Sequence, residues 1–365
     1  MLKLFKVSGF KNFHDALTID FSDVHDYKFN SECISNGLLS KMIVYGKNSV
    51  GKTNLGLAIF DIVSHLTEDN VSPGLYDYYL NVDNETKYAE FYYEFQFDQD
   101  IVKYAYKKNE KRGLIAESLW INDKLIFSYD TIEGTTDYSG IKEISPTLNQ
   151  NFDGIESILR YMVNNTVLAE DHPLKKLVKF VSSMLWFRNL DENRYIGYKN
   201  KSFDYADFIF EPSVLQEFQD FLHGAGIEEN LIAKTDVDGI KRLYFDTKTS
   251  LPFFKTASNG TKALYTFFYW YKTASNVSFL FMDEFDAYYH YELSESLVRI
   301  IEKMPNTQVM ITSHNTNLLS NRIMRPDCYF ILTNERLTAL VNATDRELRE
   351  GHNLEKLYMS GEFDE

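Results

Sequence analysis

The segment from Gly46 to Thr53 restricts the possible folds of this chain most strongly. It reads Gly-Lys-Asn-Ser-Val-Gly-Lys-Thr and therefore matches the pattern G-x-x-x-x-G-K-[S/T]. The apolar run 42–45 precedes it, and apolar residues with helical spacing follow from Lys52 to Leu66. The pattern predicts a buried strand, a phosphate-binding loop and a helix, because loop amides and a helix N-terminus both attract phosphate.

The same pattern assigns chemistry to individual side chains of the loop. We expect Lys52 to reach the β- and γ-phosphates of a nucleotide and the Thr53 hydroxyl to bind Mg²⁺. A nucleotide and Mg²⁺ are therefore the expected cofactors. The predicted nucleotide-binding residues of this segment are Gly46, Asn48, Ser49, Gly51, Lys52, Thr53 and Asn54.

A second pattern is an apolar strand that ends in two carboxylates. The run 277–282 is apolar apart from one serine and leads directly into Asp283 and Glu284. Alone, such a strand end is common, but beside a phosphate-binding loop it gains a function. We predict that Asp283 holds a water of the metal ion and that Glu284 is the general base that polarises the attacking water.

Two shorter patterns complete the candidate site. His314 lies just past the predicted strand 307–312 and can sense the γ-phosphate of a bound nucleotide. Ser258 and Gly260 open a strongly aromatic helix, whose N-terminus is an anion-binding position. By itself, a serine at such a position is an ordinary N-cap.

The order of predicted elements indicates one α/β core interrupted by insertions. A period-two pattern in four runs between Tyr88 and Asp130, separated by turns, predicts an antiparallel meander. We place an N-terminal lobe at residues 1–144, a mostly helical insert at 145–250 and a C-terminal lobe at 251–365. The tail from Thr344 to Met359 is expected to be helical.

Composition excludes several classes of protein. The chain has 38 Lys and Arg against 53 Asp and Glu, a net charge of −15, which does not favour indiscriminate binding to nucleic acid. The two cysteines, Cys33 and Cys328, support neither a disulfide framework nor a zinc site. No apolar run approaches the ~20 residues that span a bilayer, so we expect a cytoplasmic protein without a membrane partner.

Two basic stretches remain candidates for a local contact with DNA. The first, Lys107–Arg112, lies in the predicted meander, and we expect it to be a solvated hairpin tip, with a contact to a phosphate backbone as the alternative. The second comprises Lys175, Lys176 and Lys179.

The motifs together resemble a known family. The blocks 3–13, GKNSVGKTNL, SNGT, FMDEFDAYYH and ITSHN are similar to the ABC-type ATPases of the SMC, RecF and OLD (overcoming lysogenization defect) group. The whole chain most resembles the OLD-like, RloA/AbiL-type ATP-binding proteins of bacterial anti-phage systems, and the tail 346–358 also looks like theirs. It departs from the ABC pattern in two places, with Ser-Asn-Gly-Thr for Leu-Ser-Gly-Gly-Gln and Phe285 for the usual proline.

The resemblance implies an ABC-type P-loop ATPase head with an antiparallel β subdomain. It further implies that two heads enclose ATP, with the Ser258–Gly260 segment of one chain capping the γ-phosphate bound by the other. Asp286 falls where the D-loop of this family crosses between the two sites. Gln96 would be the Q-loop ligand of Mg²⁺, although a glutamine in an edge strand is more often only a strand residue.

The expected function is that of an ATP-dependent sensor or scaffold. The chain would dimerise or form a larger assembly around ATP and control a separately encoded effector, a toxin or nuclease, after a phage trigger. The alternative is a RecF-like, ATP-gated ATPase that acts on DNA in repair. A slow ATPase whose nucleotide only orders the dimer also remains open, whereas the N-terminal strand block disfavours a transporter subunit.

Overall fold

A computed structural model describes residues 1–67, 74, 76–152, 154, 156–188, 194–197, 208–273, 276–334 and 336–363. The described helices are α1 (Lys52–Leu66), α2 (Ile141–Ile144), α3 (Ile158–Asn165), α4 (Pro173–Ser182), α5 (Pro212–Gly224), α6 (Phe253–Thr256), α7 (Asn259–Thr273), α8 (Tyr291–Glu302) and α9 (Leu354–Met359). Among these helices, none is long and apolar enough to cross a bilayer.

The strands divide into two large sheets and two small ones. They are β1 (Leu2–Ser8), β2 (Leu17–Asp20), β3 (Ile34–Ser35), β4 (Leu38–Leu39), β5 (Lys41–Tyr45), β6 (Tyr88–Phe97), β7 (Asp100–Asn109), β8 (Leu114–Ile121), β9 (Lys124–Asp130), β10 (Thr135–Asp137), β11 (Leu185–Arg188), β12 (Arg194–Gly197), β13 (Leu231–Thr235), β14 (Lys241–Phe245), β15 (Leu251–Pro252), β16 (Phe279–Asp283), β17 (Gln308–Thr312), β18 (Tyr329–Leu332) and β19 (Leu337–Ala339). The predicted α/β fold class, including an antiparallel sheet, is confirmed.

The first large sheet is mostly parallel and has the order β12-β11-β16-β17-β5-β18-β19. The five inner strands run parallel, and β12 and β19 pair antiparallel at the two edges. Every residue of β5, β16 and β17 is buried, which is why these strands are nearly continuous apolar runs in the sequence. The parallel strands all end at the same edge of the sheet, which we call the carboxyl edge.

The second large sheet is antiparallel, in the order β10-β9-β8-β7-β6-β1-β2. Strands β6 to β9 are the meander that the alternation between Tyr88 and Asp130 predicts. Along β6, the inward positions include Phe91, Tyr93 and Phe95, while their neighbours are more exposed. One face of this sheet therefore packs on the core of the molecule.

Helix α1 lies between the two large sheets. On one side, the Phe60 ring packs against Trp186 and Phe281 of the parallel sheet, at centroid distances of 5.8 and 6.5 Å. On the other side, the Tyr93 hydroxyl of the antiparallel sheet donates to the carbonyl of Ala58 at 3.1 Å. The helix that follows the phosphate-binding loop is therefore buried on both sides, and its position depends on both sheets.

The segment 145–250 differs from the mostly helical insert that we predicted. Strand β11, at Leu185–Arg188, lies inside the parallel sheet beside β16, and Trp186 is fully buried there. Strands β13 and β14 form a hairpin within the same segment. The segment therefore contributes to the core instead of interrupting it, although its residues 189–193 and 198–207 lie outside the described part of the chain.

The tail is also less helical than predicted, since only Leu354–Met359 of the segment 344–359 forms a helix. The Asn321 side-chain amide donates to the carbonyls of Arg349, Glu350 and His352 at 3.0, 3.2 and 3.1 Å. Because these carbonyls find partners outside a helix, the backbone before Leu354 can be buried in an irregular conformation.

Candidate functional site

The carboxyl edge of the parallel sheet brings the predicted motifs together. Strand β5 ends at Tyr45, directly before the phosphate-binding loop, β16 ends at Asp283, and β17 ends at Thr312, directly before Ser313 and His314. Strand β17 pairs with both β5 and β16, so the three strand ends are neighbours. Open parallel sheets bind their ligands at this edge.

The phosphate-binding loop has the backbone that its glycines predict. Gly51 has a φ of 103°, and a Cβ atom there would lie 2.4 Å from the Asn12 side-chain nitrogen. Only glycine fits such a position without strain. The Lys52 ammonium donates to the carbonyls of Gly46 at 3.0 Å and Lys47 at 3.2 Å, so the lysine is held against the loop itself.

The other predicted loop residues take two different positions. Asn48 and Ser49 are exposed at the tip of the loop, where a ligand can reach them. Ser49 has a positive φ of 68°, as a tightly curled loop requires. Asn54 lies in the first turn of α1 and donates through its side chain to the Asn12 side-chain oxygen at 2.7 Å. Asn54 therefore contacts another part of the chain instead of facing only a ligand.

Asp283 connects the end of β16 to both neighbouring motifs. Its carboxylate accepts from the Thr53 hydroxyl at 2.8 Å and from the Thr312 hydroxyl at 2.9 Å. The Thr312 hydroxyl also accepts from the backbone N–H of Glu284 at 2.7 Å. The predicted metal residues Thr53 and Asp283 are thus in direct contact, although they are far apart in the sequence.

Glu284 has the environment of a partly desolvated acid. Burial raises the pKa of its carboxyl above the usual value, the Asp283 carboxylate adds to this rise, and the charges of His314 and Lys52 oppose it. Its backbone lies in the left-handed region, with a φ of 49°, which is uncommon for a residue with a side chain. Backbone strain of this kind occurs preferentially at functional sites.

Lys52 faces three carboxylates. Burial lowers the pKa of its ammonium, while Glu284, Asp283 and Asp286 oppose this shift because their negative charges stabilise the cation. His314 is exposed beside Glu284. The structure thus brings Lys52, Asp283, Glu284, Asp286 and His314 into one cluster.

The donor set of this cluster suits Mg²⁺ with a nucleotide. Magnesium is usually held by one or two protein oxygens and by phosphate oxygens and waters. The Thr53 hydroxyl and the Asp283 carboxylate, 2.8 Å apart, offer oxygens of this kind. Among the described residues, no group of three or more His, Cys, Asp or Glu side chains could hold a metal without such help. A metal at this site therefore depends on the phosphates.

The Ser258–Gly260 segment lies at the N-terminus of α7. The Ser258 hydroxyl accepts from the backbone N–H of Thr261 at 3.1 Å and is therefore an N-cap, as expected. A Cβ atom on Gly260 would lie 2.9 Å from the carbonyl oxygen of Tyr288. The segment thus packs on the loop that follows Glu284, and Ser258 itself is exposed.

Gln96 does not join the cluster. Its carbonyl accepts from the N-terminal amine of Met1 at 2.7 Å, and the neighbouring Leu2 bonds to the side chain of Gln308. Gln308 is the first residue of β17, whereas the cluster lies at the end of that strand, about 13 Å away at ~3.3 Å per residue. The prediction that Gln96 is a metal ligand is therefore wrong for this arrangement.

Most cations of the first basic stretch do not form a free cationic surface. Lys108 is only 4% exposed and forms an ion pair with the fully buried Asp61 of α1 at 2.5 Å. Lys107 pairs with Asp130 at 2.9 Å. The Arg112 guanidinium lies over an aromatic ring and donates to a serine of α1. Lys111 is exposed in the turn between β7 and β8, as the expected hairpin tip requires, whereas the other three cations are used in tertiary contacts.

The second basic stretch is partly neutralised. Lys176 forms an ion pair with Asp98 at 2.6 Å, and Lys175 forms one with Glu170. Both pairs lie at the surface, where such pairs contribute little to stability but still cancel charge.

Sequence reasoning missed two residues that organise the site. Thr312 holds Asp283 and the backbone of Glu284, and Asn12 contacts both Val50 and Asn54. A polar residue at the end of a buried strand was the available signal for Thr312. For Asn12, no local pattern indicates a contact with a loop almost forty residues later.

The family comparison agrees with this arrangement. Residues 41–320, more than half of the chain, match the model of the family described as "AAA domain, putative AbiEii toxin, Type IV TA system". The chain belongs to this family. The matched region of this AAA-domain chain contains the phosphate-binding loop, Asp283, Glu284 and His314. The finer assignment to OLD-like or RloA/AbiL-type proteins is not part of that match.

Three solved SMC heads are similar to 93% of this AAA-domain chain. One is an SMC head bound to the C-winged helix domain of ScpA, with 13% identity, a TM-score of 0.47 and 97% of that chain covered. The SMC head domain from Thermotoga maritima has 13% identity, a TM-score of 0.45 and 98% coverage. An SMC head with an extended coiled coil, bound to the C-terminal domain of ScpA derived from Pyrococcus furiosus, has 12% identity, a TM-score of 0.47 and 96% coverage. No curated protein matches the chain in sequence.

Proposed function

We propose that this chain binds ATP with Mg²⁺ at the carboxyl edge and hydrolyses it slowly. The observation that carries the proposal is the contact network around Asp283, which joins the phosphate-binding loop to the candidate general base. Mg²⁺ held there would neutralise phosphate charge. Thr53 and Asp283 would orient it, and Lys52 would contact the β- and γ-phosphates.

Glu284 is the proposed general base. Burial and the Asp283 carboxylate raise the pKa of its carboxyl, which makes the carboxylate a stronger base towards water, and the charges of His314 and Lys52 oppose this rise. His314 would contact the γ-phosphate. Asp286 would lie where a second copy approaches, since it belongs to the loop on which the Ser258–Gly260 segment packs.

We further propose that two copies close around ATP, with Ser258 and Gly260 of one copy completing the site of the other. The exposed N-terminus of α7 supports this, because it presents an anion-binding position that makes no contact with the phosphate-binding loop of its own chain in the described contacts. The cycle of closing and opening would control a separate effector protein in anti-phage defence. The family description and the acidic charge of −15 support a protein partner.

The alternative of a RecF-like DNA ATPase receives less support. It requires a basic face, and Lys107, Lys108 and Lys176 form ion pairs within the chain. DNA binding by such a protein would appear with ATP and weaken steeply with salt.

The test is the mass in solution of Glu284→Gln protein, purified together with the product of a neighbouring gene. With Mg²⁺ and ATP, the mass should rise to that of a dimer or a larger assembly that retains the neighbour. Lys52→Ala, which lacks the phosphate contact, is the matched control and should not change. A mass that is the same with and without ATP would refute the closing of two copies, and loss of the neighbour in both states would refute the effector role.

A further inference from the structure

We propose that Asn12 is a positioning residue of the nucleotide site, through which the antiparallel sheet sets the shape of the phosphate-binding loop. The inference rests on the proposed nucleotide binding. Asn12 lies in the turn between β1 and β2, within the block 3–13 that resembles the ATPase family but outside the predicted site residues. It contacts the loop on both sides of Gly51.

The turn that carries Asn12 is held in one conformation. Phe10 and Phe13 exchange two backbone hydrogen bonds, at 3.0 and 2.8 Å, so the turn is as tight as two intervening residues allow. Lys11 is the other residue of the tip. Its backbone N–H donates to the carbonyl of Tyr79, and its carbonyl accepts from the Asn81 side-chain amide at 2.6 Å. The tip therefore cannot move independently of the antiparallel sheet and the 76–81 segment.

Asn12 uses both ends of its side-chain amide. Its nitrogen donates to the backbone carbonyl of Val50 at 3.0 Å, and its oxygen accepts from the Asn54 side chain at 2.7 Å. Val50 is the last residue before Gly51, and Asn54 lies in the first turn of α1. One side chain thus connects the end of the loop to the start of the helix.

The contact with Val50 fixes the direction of an N–H group that a phosphate needs. All described peptide bonds are trans, and in a trans peptide the C=O and the following N–H point in opposite directions. Because the Val50 carbonyl points towards Asn12, the Gly51 N–H points away from Asn12. Without this contact, rotation of the Val50–Gly51 peptide would turn a carbonyl oxygen towards the phosphate and repel it.

The absence of a side chain at Gly51 belongs to the same arrangement. A Cβ atom there would approach the nitrogen, oxygen and central carbon of the Asn12 amide to between 2.4 and 2.8 Å. The loop backbone and Asn12 are therefore packed as closely as glycine allows. Such close packing gives Asn12 little freedom to adopt another rotamer, so the two hydrogen bonds are pre-organised before a ligand binds.

The experiment measures two properties of Asn12→Ala and Asn12→Asp. The first is the affinity for a non-hydrolysable ATP analogue with Mg²⁺, by calorimetry. The second is the hydrogen exchange of the amides of residues 46–54 without ligand. Asn165→Ala is the matched control, because Asn165 is exposed and, within the described part of the chain, its side-chain amide bonds only to Tyr161 of its own helix.

We expect Asn12→Ala to bind the analogue about ten-fold more weakly, since two hydrogen bonds of ordinary strength are lost. Asn12→Asp should bind more weakly still, because its carboxylate faces the Val50 carbonyl and adds negative charge near the phosphates. In both variants, exchange should speed up in residues 46–54 and stay unchanged in β6 to β9. Asn165→Ala should match the wild type in both measurements.

Wild-type affinity in Asn12→Ala would overturn the inference. Faster exchange throughout the antiparallel sheet would also overturn it, because Asn12 would then act on general stability. If the wild-type protein itself does not bind the analogue, the proposed function fails. The exchange measurement still decides in that case whether Asn12 holds the loop.

Discussion

The substitution Thr312→Val tests whether the hydrogen bonds at the end of β17 organise catalysis. Valine has nearly the shape of threonine but lacks the hydroxyl, which donates to Asp283 at 2.9 Å and accepts from the Glu284 N–H at 2.7 Å. Thr312 is fully buried. If each bond contributes about 1 kcal/mol, the free energy of unfolding should fall by about 2 kcal/mol.

The catalytic effect should exceed what lost stability explains. Asp283 would lose one of its two hydroxyl donors, and the Glu284 backbone would lose the acceptor next to its left-handed φ of 49°. Because Glu284, the proposed general base, would then sample other positions, we expect kcat to fall at least about ten-fold, equivalent to about 1.4 kcal/mol in the activation barrier. The KM for ATP should change little, since the phosphate-binding loop is untouched.

Thr307→Val is the matched control for this experiment. Thr307 directly precedes the same strand at its other end, is 3% exposed and donates its hydroxyl to the carbonyl of Val277 at 2.9 Å. It should lose stability, measured by urea unfolding, without losing turnover, measured by phosphate release. Thr312→Ser keeps the hydroxyl and should restore most of the activity. Equal turnover in Thr312→Val and Thr307→Val would refute the reasoning.

Three further predictions concern buried groups outside the site. Burial raises the pKa of Glu302 from its ordinary 4.5 to about 7. The unfolded chain therefore releases this proton at a lower pH than the folded protein does. As a result, the free energy of unfolding falls as the pH rises from about 4.5 to about 7. By urea unfolding, Glu302→Gln should therefore be up to ~3 kcal/mol more stable than the wild type at pH 8 and nearly equal to it at pH 5. Equal stability of the two proteins at both pH values would contradict this prediction. Lys108→Met should cost about 3 kcal/mol because it leaves the buried Asp61 without its cation, whereas the exposed Lys111→Met should not change the urea midpoint. Cys33 and Cys328 are fully buried, and burial raises the pKa of the Cys328 thiol. A thiol reagent should therefore label either cysteine only when the protein unfolds. Fast labelling of the native protein would contradict this prediction.

Local patterns predicted the parts of the fold in which neighbouring residues carry the information. Helix α1 spans Lys52–Leu66, as its apolar spacing indicates, and the meander of β6 to β9 follows the alternation from Tyr88 to Asp130. The same is true of the strand ends at Asp283 and Thr312. A strand that is buried on both faces is nearly continuously apolar, and a polar residue at its end shows where it stops.

Contacts between distant residues were not predictable in this way. Lys108 follows the polar pattern of a hairpin tip, and only the fold places Asp61 of α1 beneath it. Gln96 has the chemistry of a metal ligand, yet its strand places it near Gln308 at the start of β17, whereas Thr53 contacts the cluster at the end of that strand. The contact of Asn12 with the phosphate-binding loop depends in the same way on how the two sheets enclose α1.

The segment 145–250 failed as a prediction for a related reason. A short strand such as β11, at Leu185–Arg188, is too brief to show a period, and it joins the sheet only because β16 offers a free parallel edge. In the tail, the Asn321 side chain supplies the donors that a helix would otherwise provide. Both outcomes are tertiary effects that override local preference.

We propose that this chain hydrolyses ATP with Glu284 as base and Lys52 as phosphate ligand. The most direct test is phosphate release from Mg²⁺-ATP by wild type, Lys52→Ala and Glu284→Gln, each with its ATP affinity measured alongside. We expect turnover by the wild type, no ATP binding by Lys52→Ala, and ATP binding by Glu284→Gln with phosphate release at least about a hundred-fold slower. Phosphate release by Glu284→Gln at the wild-type rate would contradict this proposal.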